Sequence, residues 1–154
     1  MENTLKLREV LKTLPSFTSE FFRGISTTTS TSTRIKYAYV LRIFFQYLQK
    51  ENPELAKIPM DQMSVDVLDQ VTALDLEEYT EYLKAYIGSQ ESYTTNGEKG
   101  LKRKLSALRT FYSYYFKKEL IETNPTLLID MPKLHEKEII RLEIDEVAKL
   151  LDEV

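Results

Sequence analysis

The chain has 154 residues, enough for one or two small domains, and 42% of them are hydrophobic, enough for a buried core. It has no cysteine, which excludes a disulfide framework and a thiolate metal site and favours a cytoplasmic setting; no apolar run approaches the roughly 18 residues of a membrane span. Its formal charge of -3 speaks against nucleic acid until it is resolved along the sequence. Residues 31–50 carry four basic side chains and no acidic one, and residues 92–118 carry seven against one. Residues 51–91, between them, carry ten acids against two bases, and residues 119–154 carry ten against four. A ligand feels the local potential within about 8–10 Å at moderate salt, so two basic segments parted by an acidic one say more than the sum.

Glycine is scarce, and apolar residues recur at three- and four-residue spacings nearly throughout, so the sequence predicts an all-α chain. The opening MENTLKLREV lacks the basic-then-apolar order of a secretory signal. A first helix is expected near Thr4 to Leu14, stopped by Pro15, and a short second one over Ser16 to Arg23, closed by Gly24 in a left-handed conformation. The hydroxyl-rich STTTSTST, Ser26 to Thr33, has nothing to bury and reads as a loop that supplies an N-cap; phosphate contact through its hydroxyls is the other reading.

The next helix, about Ser32 to Lys50, puts Tyr37, Leu41, Phe44, Phe45 and Leu48 on one face, with Ile35, Tyr39 and Ile43 as a second stripe. Arg34 and Arg42 fall to one side and Lys36 to the other. Residues 51–74 read as a connector with a short helix at Ser64 to Gln70. A helix from Leu76 to about Ile87 follows, with Asp75 and Glu78 as a capping box and Leu74 and Tyr79 as its staple. Its carboxylates Glu77, Glu78 and Glu81 are accounted for as a solvated face, there being no histidine nearby to complete a metal or acid/base site.

SYTTNG, Ser92 to Gly97, is turn chemistry, with Thr95 and Glu98 placed to cap the helix that follows. In that helix Leu101, Leu105, Leu108, Tyr112, Tyr115 and Phe116 form the core stripe. Lys102, Ser106, Arg109 and Ser113 border it, and Lys99, Arg103 and Thr110 lie further round. Glu98 is the sole acid beside them. Charge alone leaves two readings of this face, phosphate binding or a solvated surface. Tyr112 and Tyr115 belong to the core, and Tyr114 projects away from it. The chain leaves the helix at Thr123-Asn124-Pro125 and passes MPKLHEKEII, which reads as a linker. Helical periodicity restarts in LEIDEVAKLLDEV.

Five of these pieces, in order, resemble the N-terminal half of tyrosine recombinases, the phage-integrase and Xer-like family. LPSFTSEFFRGI, Leu14 to Ile25, resembles the lead-in of mobile-element integrases, and Thr33 with Tyr37, Leu41 and Phe44 resembles the first core-binding signature. RKLSALRTFYSYYF, Arg103 to Phe116, with Asn124-Pro125 and Pro132 to Leu134, is similar to the second signature, its Asn-Pro exit and its linker. RLEIDEVAKLL looks like the opening of the catalytic domain. Val40 stands where the family often has an acid and Glu143 where it usually has threonine.

The resemblance implies a SAM-like, orthogonal bundle of about four main helices with an N-terminal helical extension. It divides the chain into an extension (1–24), a core-binding domain (25–131), a linker (132–141) and the first helix of a catalytic domain (142–154). It implies that the helices near Thr33 to Lys50 and Gly97 to Lys118 face duplex DNA at a recombination site, and that other protomers assemble there. The contact candidates are Thr33, Arg34, Lys36, Arg42, Lys99, Lys102, Arg103, Ser106 and Arg109. No cofactor, metal, membrane or small-molecule substrate is implied, and the setting is the cytoplasm of a bacterium or of the host of a mobile element. The family's cutting residues lie in the catalytic domain, and His135, the single histidine, falls in the linker, so this chain is expected to bind and not cut. The rival reading is a helical protein-interaction module whose basic faces meet acidic partners.

Overall fold

The computed structural model describes residues 2–87, 93–95 and 97–132, and helices occupy most of them. Among them run α1 (Glu2–Leu11), α2 (Thr18–Gly24), α3 (Thr31–Glu51), α4 (Pro53–Ala56), α5 (Val67–Gln70), α6 (Ala73–Lys84) and α7 (Glu98–Lys117). A single two-stranded antiparallel ribbon joins the last two, β1 (Ala85–Ile87) with β2 (Tyr93–Thr95). Among the described residues the fold is all-α apart from that ribbon. The expectations for His135, for most of the linker and for residues 142–154 lie outside the described residues.

Aromatic rings hold α2, α3 and α7 together. Phe111 of α7, fully buried, meets Phe21 of α2 edge-on at 5.2 Å, Phe45 of α3 at 6.1 Å and Tyr115 one turn along α7 at 5.0 Å. Each such ring contributes about 1.5–3 kcal/mol by burial, and an edge-to-face pair adds about 0.5–1.5. The expected stripe on α7 ran through Phe116 and missed Phe111. In the fold Phe116 is 41% exposed, because α2 covers the Phe111 flank and moves the centre of the buried face toward it. On the other side of α3, Phe44 and Tyr47 pack on Tyr79 of α6 at 5.2 and 5.0 Å. α1 lies along α3 with Leu7 and Val10 buried, so the N-terminal residues pack on their own chain.

Two tyrosines pin distant segments from inside the core. The Tyr112 hydroxyl donates to the Leu68 carbonyl at 3.0 Å, and the Tyr115 hydroxyl donates to that of Phe17 at 2.8 Å. Burial pushes both hydroxyls far up, so both remain donors.

Several local expectations are corrected. α6 begins at Ala73, with Thr72 and Asp75 as the reciprocal box: the Asp75 N–H donates to Thr72 Oγ1 and the Thr72 N–H to Asp75 Oδ2. Thr72 outcompetes Asp75 for the cap because Asp75 then sits at the third helical position and closes the box. Leu74 falls in the first turn, 70% exposed, and makes no staple. α6 stops at Lys84 rather than Ile87, since Ala85–Ile87 pairs with Tyr93–Thr95. Runs of three residues are too short for alternation to register in sequence. Thr95 is thereby used in the ribbon, and Gly97 stands at the cap position before α7 with no side chain to cap it. Ser30 does cap α3, accepting from the Thr33 N–H at 3.1 Å.

Gly24 is not left-handed, and no described glycine has positive φ. Its lack of a side chain serves the approach of Tyr114 instead: a Cβ there would stand 2.5 Å from Tyr114 Cε1 and 2.6 Å from its hydroxyl oxygen. Tyr114 therefore covers α2, meeting Phe21 edge-on at 5.6 Å, and does not project clear of the bundle.

Among the described residues the left-handed one is Glu119 (φ 61°), just past α7. The Leu120 N–H donates to the Tyr115 carbonyl and the Glu119 N–H to that of Phe116, the paired pattern that usually ends on glycine. Glu119→Gly is expected to stabilise the fold by about 0.5–1 kcal/mol, read as a rise in thermal midpoint of a few degrees.

Beyond this turn, Asp69 of α5 accepts from the Glu122 N–H, the Thr123 N–H and the Thr123 hydroxyl at 2.8–3.1 Å. Desolvation pushes its carboxyl up, but the bonds from Glu122 and Thr123 outweigh it and hold the group below its ordinary 3.8. The stabilisation is therefore full above the unfolded value and is lost as pH falls through the folded one. Asp69→Asn is expected to cost about 1 kcal/mol at neutral pH, discounted for exposure, and denaturation of the two proteins should converge only as pH falls through the folded value, below 3.8.

Candidate nucleic-acid interface

α7 divides cleanly into two faces. Leu101, Leu105, Leu108, Phe111, Tyr112 and Tyr115 are buried, and Lys99, Arg103, Ser106, Thr110 and Lys117 follow one another along the outward side at three-, four- and seven-residue steps. At 1.5 Å per residue this row is about 27 Å long. Lys102 flanks it. Lys99, Lys102, Arg103 and Lys117 are exposed, Ser106 is half-buried, and Glu98 at the helix start is the one acid of α7. Lys117 extends the row about two turns past Thr110, beyond the residues expected from sequence, and the same spacing would have found it. Lys104 is half-buried beside Arg103. Burial first, and the neighbouring guanidinium second, hold its ammonium below the ordinary value.

On α3 only Lys36 among the expected residues is fully exposed. Thr33 is engaged at the helix start, where its hydroxyl accepts from Ser30 Oγ at 3.0 Å. Arg34 is half-buried: its Nε donates to the Thr29 carbonyl at 3.2 Å and its Nη2 to Thr31 Oγ1 at 3.0 Å. Two of its five donors thus hold the hydroxyl-rich loop against the helix. Arg42 lies over the Tyr39 ring at 5.1 Å and reaches Thr13 Oγ1 at 3.4 Å, linking the exit of α1 to α3.

Arg109 is turned to the chain itself. Its Nη2 donates to the Thr126 and Ile129 carbonyls at 3.1 and 3.4 Å, and its Nε is buried with no partner among the described residues. It anchors the short 3-10 turn Pro125–Leu128, which Asn124 opens by accepting from the Thr126 N–H. Sequence periodicity places Arg109 on the border of the basic face; only the return of the chain over that border decides which way it turns. Among the described residues no group of three or more His, Cys, Asp or Glu is arranged to hold a metal ion, and no helix is long and apolar enough to cross a membrane.

The acidic residues gather elsewhere. Glu51, Asp75 and Glu78 line a cleft of about 280 Å³ with Tyr47, Leu48, Leu55, Val67 and Val71 in its walls. Burial, and then Glu51, Glu78 and Asp75, push the Tyr47 hydroxyl up to about 12.

This arrangement can be set beside known proteins. The chain is 33% identical to the tyrosine recombinase XerC of Caldanaerobacter subterraneus subsp. tengcongensis, across 97% of the chain and 43% of that relative. The chain belongs to the tyrosine recombinase family. Two further relatives, tyrosine recombinases XerC of Leptospira interrogans and Bacillus subtilis, are 25% and 29% identical, over 75% and 73% of the chain and 31% and 40% of their own lengths. The recombinase chain thus spans less than half the length of these relatives. No family profile and no solved structure matches it.

The different roles of the cationic residues are testable by stability alone. Arg109→Gln is expected to cost about 1.5–3 kcal/mol, because charge-assisted bonds to two carbonyls are weakened, whereas Lys102→Gln should stay within about 0.5 kcal/mol. Denaturant titration of the two variants checks this.

Proposed function

We propose that this chain binds duplex DNA as the core-binding arm of a site-specific tyrosine recombinase acting in integration or excision of mobile DNA. The observation that carries the reading is the exposed, nearly acid-free row on α7, Lys99, Lys102, Arg103 and Lys117, on a helix whose opposite face is core. Such a row neutralises phosphates along a duplex and releases their counterions. Lys36 adds a charge from α3, and Ser106 and Thr33 supply neutral hydroxyls that fix register without adding salt dependence. Family membership supports the same reading, since the relatives are named as recombinases. In this proposal residues 25–131 are the DNA arm, the target is a recombination site, and further protomers assemble beside it. The chain is assigned the binding part of that activity and not strand cleavage.

The acidic cleft of Glu51, Asp75 and Glu78 supports a second reading, a helical module that meets a basic protein partner. The two differ in salt dependence. Fluorescence anisotropy of the chain with a short duplex over a salt series is expected to give log affinity falling against log salt, by about 0.9 for each phosphate contacted. Lys102→Glu with Arg103→Glu should remove most of that binding without unfolding the chain, as both residues are exposed. No binding by the unaltered chain at low salt would favour the protein-contact reading.

A further inference from the structure

Beside the carboxyl end of the basic row, on the flank away from Arg109, α2 and α7 leave a notch of about 290 Å³ lined by Glu20, Arg23, Gly24, Tyr114, Lys118 and Leu120. Three features make it more than a gap between helices. Gly24 keeps it open, because Tyr114 occupies the space a Cβ would need. Tyr114 is fixed edge-on by Phe21 and Tyr115 at 5.6 and 5.2 Å, and its hydroxyl has no hydrogen-bond partner among the described residues. Lys118 sits over the Tyr114 ring at 5.6 Å, which holds its ammonium beside the notch. Among the described residues neither Arg23 nor Lys118 is engaged in an ion pair, although Glu20 shares the lining.

We infer that this notch takes one phosphodiester group of the duplex, with Arg23 and Lys118 supplying the charge and the Tyr114 hydroxyl a neutral donor. The inference rests on the DNA-binding reading and extends it to α2, an element that the basic segments of the sequence do not include. Helix geometry supports the placement. Lys117 lies on the same line as Lys99 and Arg103, and Tyr114 and Lys118 lie roughly 60–100° round from it, toward α2. A duplex whose backbone follows the row toward Lys117 therefore meets the notch at its end. Within the lining the two cations outnumber the one carboxylate, Glu20.

The test is the same salt series applied to Arg23→Gln with Lys118→Gln, beside Lys57→Gln with Lys84→Gln, which removes equal charge from the acidic segment. The first pair is expected to lower the slope by about 0.9, the share of one phosphate, and the second to leave it unchanged. Gly24→Ala, which keeps both charges but crowds Tyr114, should also weaken binding; if it does not fold, the charge pair decides. A parental slope in the Arg23 and Lys118 variant, or equal losses in both pairs, would overturn the inference and leave the DNA-binding reading standing. Absence of binding by the unaltered chain would overturn both.

Discussion

The packing of Phe111 between α2 and α3 is the constraint on which the rest of this chain depends. Its ring touches Phe17, Phe21, Phe45, Tyr112 and Tyr115, so one side chain of α7 fixes the positions of the two elements that precede it. Rings in edge-to-face contact tolerate little rotation, because the quadrupole term and the close packing both fall off with small displacements. Once Phe111 is inward, 3.6 residues per turn leave Lys99, Arg103, Ser106, Thr110 and Lys117 outward. The basic row is thus the reverse side of the core stripe. Its straightness comes from the helix and its orientation from the aromatic cluster.

Around that centre, polar bonds tie down the parts that burial does not. The Tyr112 and Tyr115 hydroxyls hold carbonyls of α5 and of the turn before α2; Asp69 and Arg109 hold the segment after α7 from two sides. These bonds divide the cations by role. Arg34, Arg42 and Arg109 each spend donors on their own chain, while Lys36, Lys99, Lys102 and Arg103 lie exposed. Arginine suits the first role, since its fork satisfies several acceptors at once and it stays charged when half-buried. Lysine suits the second, a mobile point charge on a long stem.

Much of this was legible in the sequence for a simple reason: long helices repeat their pattern. α3 and α7 are 21 and 20 residues, and their faces are readable to within a turn, as are an N-cap from the hydroxyl-rich loop and the inward Tyr112 and Tyr115. Short elements gave no such repetition, which is why Ala85–Ile87 was merged into α6 and its partner strand was read as a turn. Gly24 was given a backbone role when the fold uses it for a close approach by Tyr114, ninety residues away, and no local pattern carries that information. The direction in which Arg109 turns depends on a distant contact in the same way. Its side chain lies on the border of a face, and what turns it inward is the carbonyl pair of Thr126 and Ile129.

The central claim is that the reverse side of the core stripe is the surface that meets DNA. It is tested most directly by titrating the isotopically labelled chain with a short duplex and following backbone amide shifts residue by residue. Changes are expected to cluster at Lys36, at Lys99 to Arg103 and along α7 to Lys117, with α4 to α6 unmoved. Changes confined to the acidic stretch between Glu51 and Lys84, or none along α7, would contradict it.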